Sequence, residues 1–351
     1  MNWQSDLAGL HHAFGGPVLQ GVFKQLPADF QVEEELGFQP DGAGEHEFLF
    51  IEKSGLTTTE VQAQLARCYR LPVQRVSFSG MKDRQALTRQ WFSVHEATSK
   101  PAQQTEVEVA GVKVLQRCRN SRKLQRGSHK ANRFVITVRE CTRLDSSGSN
   151  NWQQRVQDLR QRGVPNYFGP QRFGWQADNL QQVARWFAGE DPAPKSRNRR
   201  SMLLSSARSM VFNAVLSERV AGGNWDKILP GEVVALSGTA STFAGSQASP
   251  QQLQQRLDEF DIHPTGPLWG SGDTRTSGQV AELESAVAKR YADLAAGLEQ
   301  HGLQQERRAL RLQVSELQAD LQAGILVLSF RLTRGAYATS VLRELLRWES
   351  Q

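Results

Sequence analysis

Apolar and polar positions alternate along much of the first part of the chain. Phe30 and Val32 alternate with polar neighbours, as do His46, Phe48 and Phe50, and a period of two predicts half-buried strands. Val76 with Phe78, and the run Gln90-Trp91-Phe92-Ser93-Val94, read as further strands. From Asn132 to Val138 the alternation puts Phe134, Ile136 and Val138 on one side. One helix interrupts this texture. Thr57-Thr58-Thr59-Glu60 has the form of a capping box, and Val61, Leu65 and Cys68 fall on one helical face behind it. Ser146-Ser147-Gly148-Ser149-Asn150 is then a polar break.

Beyond the break the period changes. Leu203, Ala207, Met210, Val211, Ala214 and Val215 repeat at helical spacing, as do Leu253, Leu257 and Phe260. Leu283, Val287, Tyr291, Leu294 and Leu298 predict a third helix. Between the last two, Pro264 to Gly278 is rich in Gly, Pro and Thr without periodicity, which predicts a long functional or mobile loop. Strand texture returns at Leu310 to Val314 and at Ile325 to Leu332, and a closing helix carries Leu342, Leu345 and Leu346. There is no internal repeat. Strands, then helices, then strands predict one sheet-based domain interrupted by an inserted, more helical one.

Composition narrows the class. A chain of 351 residues with 39% hydrophobic and 22% charged residues has the length for two domains and the balance of a soluble globular protein. The longest aliphatic run, Ile325-Leu326-Val327-Leu328, is far too short to span a membrane. Met1 to Asp6 shows no basic segment followed by an apolar one, so no signal peptide is indicated. Cys68, Cys118 and Cys141 are scattered and odd in number, which argues against disulfides and a zinc site. They fit a reducing, cytoplasmic setting.

The charge is unevenly placed. Arg117, Arg119, Arg122, Lys123, Arg126 and Lys130, with His129, form one run without an acid, and Lys195, Arg197, Arg199 and Arg200 form another. These ten cations exceed the net charge of +6, leaving −4 for the rest of the chain. Two acid-free runs on an otherwise acidic chain predict a polyanionic partner.

Several familiar chemistries lack their motifs. There is no Gly-x-Gly-x-x-Gly after a strand, no phosphate-binding Gly-x-x-x-x-Gly-Lys-Ser/Thr, no His-Glu-x-x-His and no Gly-x-Ser-x-Gly. What remains is Ser79-Gly80-Met81-Lys82-Asp83-Arg84-Gln85-Ala86-Leu87-Thr88-Arg89-Gln90, in which a single carboxylate sits between two cations. Taken alone, Asp83 reads either as a salt-bridged turn residue on a basic surface or as a positioned nucleophile, general base or metal ligand. The flanking strands favour an active-site loop on a rigid scaffold.

Gly80-Met81-Lys82-Asp83-Arg84-x-Ala86-x-Thr88-x-Gln90 resembles the signature of the TruD family of tRNA pseudouridine synthases. The likeness continues in order along the chain. It takes in Pro27-x-Asp29-Phe30-x-Val32-x-Glu34, Gly44-Glu45-His46, Asn132-x-Phe134 and Pro165-Asn166-Tyr167-Phe168-Gly169-x-Gln171-Arg172-Phe173-Gly174. Ser206-Ala207-Arg208-Ser209-x-x-Phe212-Asn213 and Gly335-x-Tyr337-Ala338-Thr339-x-x-Leu342-Arg343-Glu344 complete the set. The resemblance implies an α+β fold: a pseudouridine synthase domain with a mainly antiparallel mixed sheet, interrupted by an inserted TRUD domain. The predicted bounds are 1–160 plus 310–351 for the catalytic domain and 161–309 for the insertion.

The same resemblance implies isomerisation of uridine to pseudouridine in tRNA, at position 13 of the D arm, with no cofactor and no metal. It makes tRNA the partner, with no membrane and no protein partner, and the chain a monomer. Asp83 matches the family's catalytic aspartate. Phe134 matches the aromatic that stacks on the extruded base, beside Asn132; Phe330 matches another aromatic near the base. By parity with Ile136 and Val138, Phe134 is equally a core residue, and Phe330 has the same alternative. A Phe cannot deprotonate uracil C5, which leaves that step to water or to Asp83. Lys24, which alone would be an exposed lysine, matches the basic residue that pairs with the aspartate. Arg117, Arg119, Arg122, Lys123, Arg126 and Lys130, with the second basic run, would meet RNA phosphates.

Some positions depart from the family pattern. Gln125 and Arg126 place an arginine one residue later than in the common Lys-Leu-Arg-x-Gly, Ala131 stands for a glycine and Thr333 for a proline. The rival readings are a non-catalytic RNA-binding or RNA-folding protein on the same scaffold, which would not need Asp83, and an RNA methyltransferase, whose glycine-rich cofactor loop is missing.

Overall fold

The alternating segments become one ten-stranded mixed sheet. In the computed structural model, which describes residues 2–95, 106–144 and 151–349, its main path runs Ser315–Gln322, Ile325–Thr333, His129–Arg143, Phe30–Leu36, Leu87–His95, His46–Lys53 and Val112–Asn120. Off this path, Leu19–Phe23 pairs with His129–Arg143 and with Leu346–Glu349, and Val76–Phe78 pairs with Leu87–His95. Two pairings are parallel, Phe30–Leu36 with Leu87–His95 and Leu19–Phe23 with Leu346–Glu349; the others are antiparallel. The fold is thus α+β with a mainly antiparallel mixed sheet. The predicted polar break at 146–150 lies outside the described residues.

Two compact units share the chain. The sheet unit takes residues 18–152, 314–335 and 346–351. Helix Thr58–Cys68 covers one end of its sheet, capped as predicted by Thr57 and Glu60, and buries Val61 and Leu65 against Leu49, Ile51, Phe78 and Phe92. Each such fully buried side chain contributes about 1.5–3 kcal/mol.

The helical unit takes residues 1–17, 153–313 and 336–345. Its spine is the 25-residue helix Arg197–Ala221, whose residues Leu203, Ala207, Met210, Val211 and Val215 all lie in the unit's core. The predicted third helix is two, Gly278–Arg290 and Ala292–Gln300, broken at Tyr291, where φ is −111° and ψ is 40°. The aperiodic stretch after Phe260 begins not as a loop but as strand Ile262–Leu268, paired with Val233–Leu236 and Glu306–Ala309. It is buried along nearly its whole length, so no two-residue alternation marks it. A Cβ at Gly266 would lie 2.8 Å from Leu310, so close packing there requires glycine.

The termini were expected in the sheet domain, yet residues 2–17 and 336–345 pack in the helical unit. Trp3 stacks on Tyr291 at 6.2 Å, Ala13 N–H donates to Glu344 at 3.0 Å and Arg343 donates to the Leu10 carbonyl at 2.7 Å. Leu346, predicted to end the closing helix, instead starts the strand beside Leu19–Phe23. Among the described residues no helix is long and apolar enough to cross a membrane.

Candidate active site

Register collects the chemistry on one face of the large sheet. Phe330 lies opposite Phe134, Phe134 opposite Val32, Val32 opposite Thr88 and Thr88 opposite Lys53. Directly paired residues point to the same side, so these five side chains form a row across five strands. The next row carries Leu332, Asn132 and Glu34. Phe134 and Phe330 stack with ring centroids 5.3 Å apart and planes 24° from parallel, and Phe30 follows at 6.1 Å from Phe134. Phe134 is 6% exposed and Phe330 1%. Both are therefore core rings as well as site candidates.

Polar groups anchored in the sheet hold the loop from Ser79 to Ala86. Gln90 Nε2 donates to the Gly80 carbonyl at 3.0 Å, and the Lys82 amide donates to Thr58 Oγ1 at 2.9 Å. Thr58 in turn donates to Gln90 Oε1 at 2.9 Å. Lys53 Nζ donates to the carbonyls of Asp83 and Leu56, both at 2.8 Å, and the Gly55 amide donates to the Arg84 carbonyl at 3.2 Å. Lys53 is only 1% exposed, and this burial lowers its ammonium from 10.5 to about 8.

The cations flanking Asp83 have other partners. Lys82 Nζ meets Glu34 Oε2 at 3.0 Å in a nearly dry pocket, and Arg84 pairs with Glu60 at the surface. Glu34 also has His129 Nδ1 3.9 Å away, and Ser79 Oγ sits 2.7 Å from that nitrogen. Burial lowers the His129 imidazole below its ordinary value. A side chain at Gly80 would crowd the Lys82–Glu34 pair. A Cβ there would lie 2.9 Å from Lys82 Nζ, 3.1 Å from Glu34 Oε2 and 3.1 Å from the His129 ring.

With its backbone fixed, Asp83 turns its carboxylate outward, 57% exposed, to meet Lys24 Nζ at 2.9 Å. Lys24 follows strand Leu19–Phe23 in the left-handed region, φ 60°, a conformation that costs about 1–2 kcal/mol. The bend sets its ammonium 4.1 Å from the centre of the Phe30 ring, within cation–π range. A strained backbone, an aromatic ring and a carboxylate thus fix one ammonium. Nearby on the same face, Asn132 Oδ1 and Thr88 Oγ1 are buried and make no hydrogen bond among the described residues. Buried polar atoms without a partner are uncommon.

The structure therefore brings Lys24, Asp83, Asn132, Phe134 and Phe330 into one unit and one region. Sequence reasoning missed Lys53 and the buried pair Glu34–Lys82. A signal existed for Glu34: it shares the parity of Phe30 and Val32, which puts a carboxylate on a buried face. No such signal marks a lysine that holds a carbonyl 30 positions away. Among the described residues no group of three or more His, Cys, Asp or Glu side chains comes together to hold a metal.

The basic runs divide between the units. Arg122, Lys123, Arg126 and Lys130 are exposed on the sheet unit, Arg126 with its guanidinium 3.8 Å from the centre of the Phe78 ring. Arg117 is tied internally, donating to Glu47 at 2.9 Å and to the Tyr69 hydroxyl at 3.0 Å; Arg119 lies two residues further along the same strand. On the helical unit Lys195, Arg197 and Arg200 are exposed. Arg199 is half-buried against Asn179, at 2.9 Å, and Gln182, at 2.5 Å.

Comparison with known proteins agrees along nearly the whole chain. The family model described as tRNA pseudouridine synthase D (TruD) matches residues 10–194 and 195–345. The chain is 45% identical to the tRNA pseudouridine synthase D of Nitrosococcus oceani over 340 residues, 95% of this chain and 93% of the relative. It is 43% identical to the enzyme of the same name from Azotobacter vinelandii, covering 97% of this chain and 95% of that one. A solved TruD structure from Methanosarcina mazei superposes with a TM-score of 0.71 at 21% identity, covering 95% of each chain, which is a likeness of fold.

Proposed function

The chain belongs to the TruD family of tRNA pseudouridine synthases, which are isomerases, and on that premise we propose that it converts uridine to pseudouridine in tRNA. The site is position 13 of the D arm, Asp83 is the catalytic carboxylate and no cofactor takes part. The sheet unit is the catalytic domain, the helical unit contains the TRUD insertion, and the chain works as a monomer in the cytoplasm, where tRNA is.

The reaction breaks the bond between uracil N1 and ribose C1′ and forms one between C5 and C1′. C5 loses a proton and N1 gains one, so nothing is oxidised or reduced. A carboxylate can start it by attacking C1′ or the uracil ring, or by removing a ribose proton. The observation that carries the reading is the Lys24–Asp83 pair at 2.9 Å, on a loop whose backbone is held at four successive points. The contact with Lys24 aims the carboxylate. Extruding a stacked base costs roughly a few kcal/mol, and Phe134, whose ring lies on Phe330 and is 6% exposed, takes the stacking role that the family resemblance gives it. Asn132 Oδ1, an acceptor without a partner, suits the N3–H of the base.

The test uses unmodified tRNA transcripts, no added cofactor, and carbodiimide-dependent primer-extension stops. Wild-type protein should place one stop in the D arm. Asp83→Asn should yield none while still binding tRNA. Turnover by Asp83→Asn at the wild-type rate would overturn the role of Asp83, and a wild-type protein that binds tRNA without modifying it would favour the RNA-folding reading.

A further inference from the structure

One side chain of the helical unit stands outside everything described so far. Trp175 is 80% exposed, more than any other large apolar side chain among the described residues. Exposure on this scale is unusual for tryptophan, which mostly buries its ring.

The turn that presents it is rigid and strained. Gly174 has φ 78°, and Gln176 and Ala177 follow at 49° and 62°, so three of four consecutive residues are left-handed. For the two that are not glycine this costs about 1–2 kcal/mol each. Hydrogen bonds hold the shape: Ala177 N–H to the Gly174 carbonyl at 3.3 Å, Asn179 N–H to Phe173 at 3.0 Å and Gln4 Nε2 to Gln176 at 3.2 Å. A Cβ on Gly174 would lie 3.1 Å from the Asn179 side chain. Local strain that is kept and secured points to function, and this strain holds an indole in solvent.

The second observation is independent of the first. Asn179 Oδ1 accepts from Arg199 at 2.9 Å, which bolts the start of helix Arg197–Ala221 to the start of helix Asp178–Phe187, directly after the Trp175 turn. Along that helix Arg197, Arg200, Ser201, Leu204, Ser205 and Arg208 line an open concavity of about 440 Å³. Arg208 is occupied, donating to the carbonyls of Leu268 and Trp269. The side chains of Arg197 and Arg200 are exposed and have no hydrogen-bond or ion-pair partner among the described residues. The first turn of the helix contains no acid of its own, so these cations stand against the helix dipole; Asp178, from the neighbouring helix, lies 3.7 Å from Arg199.

We propose that Trp175 is a stacking platform for an unpaired nucleobase of the RNA substrate, and that Arg197 and Arg200 take the phosphates beside that base. An exposed flat ring together with unpaired guanidiniums is the pattern by which proteins hold single-stranded or looped nucleic acid. An apolar protein partner would need a wider apolar surface than one exposed ring. The proposal rests on the tRNA reading above, and it names a second place where that RNA is held.

The test measures tRNA binding and turnover with full-length Trp175→Ala, Trp175→Phe and Arg197→Glu/Arg200→Glu. Trp175→Ala should raise both Kd and KM about tenfold, a change of about 1.4 kcal/mol that falls within the range of one base stack. The loss should fall on binding rather than on kcat, and Trp175→Phe should recover most of it. The arginine pair should weaken binding and flatten its dependence on salt. Kd and KM within twofold of wild type for Trp175→Ala would overturn the proposal. So would equal loss in the Phe and Ala variants, or a concentration-dependent self-association that Trp175→Ala abolishes. A wild-type protein that makes no pseudouridine would sink the functional reading alone, because Kd still decides this one.

Discussion

Replacing Lys82 by Met tests whether the loop of Asp83 is held by a buried charge pair. Lys82 and Glu34 meet at 3.0 Å with side chains 6% and 0% exposed. The substitution keeps an unbranched side chain one heavy atom shorter and removes the cation. It leaves a carboxylate with one long amide contact, from Trp91 N–H at 3.4 Å, as its direct hydrogen bond. Removing one partner of a buried pair costs about 3–5 kcal/mol, since the remaining charge is stranded away from water. For a unit of this size, about 2–4 °C of melting temperature accompanies each kcal/mol, so the midpoint should fall by roughly 6–20 °C. Arg84→Met is the control. Its pair with Glu60 is exposed on both sides, 54% and 41%, and should contribute about 0–1 kcal/mol. Urea unfolding of the two variants, with Lys82→Met/Glu34→Leu to remove the stranded charge, closes the comparison. The double variant should recover much of the loss. If Lys82→Met costs no more than Arg84→Met, the buried pair is not what holds the loop.

Other outcomes follow from the same geometry. Gly80→Ala should destabilise the sheet unit and slow pseudouridine formation, because its Cβ would lie 2.9 Å from Lys82 Nζ; an unchanged rate and melting temperature would refute this. Lys53 is lowered to about 8, whereas in the unfolded chain it titrates near 10.5. Between those values the unfolded state binds more protons, so stability contributed by Lys53 rises with pH, by roughly 3 kcal/mol across the window. The stability of wild type relative to Lys53→Met should rise accordingly from pH 8 to 10.5, and a flat or falling difference would contradict it. Reversing Arg122, Lys123 and Arg126 to Glu should weaken tRNA binding at every sequence and lower the salt slope by about 0.7–0.9 for each phosphate no longer neutralised; unchanged affinity would remove that surface from the interface.

The division of labour within Gly80 to Arg84 shows what local sequence conceals. Reading along the chain, Asp83 lies between two cations that look like its support. In the fold each turns to another acid, Lys82 inward to Glu34 and Arg84 sideways to Glu60, and Asp83 pairs with Lys24, 59 positions earlier. Adjacent side chains on an extended segment point to opposite sides, so neighbours in sequence are seldom partners. The strand Ile262–Leu268 was hidden for a different reason. A two-residue period needs one wet face and one dry, and this strand has no wet face.

The sequence by itself determined the strands with one exposed face, the capped helix Thr58–Cys68, the two basic runs and, through its ordered motifs, the family. Those properties are local: periodicity, capping chemistry and charge are written in consecutive residues. Only the tertiary structure decided that Phe330, Phe134, Val32, Thr88 and Lys53 form one row, that Lys53 holds the Asp83 carbonyl and that Trp175 stands in solvent. Strand register and packing create those neighbours over separations that no local pattern spans.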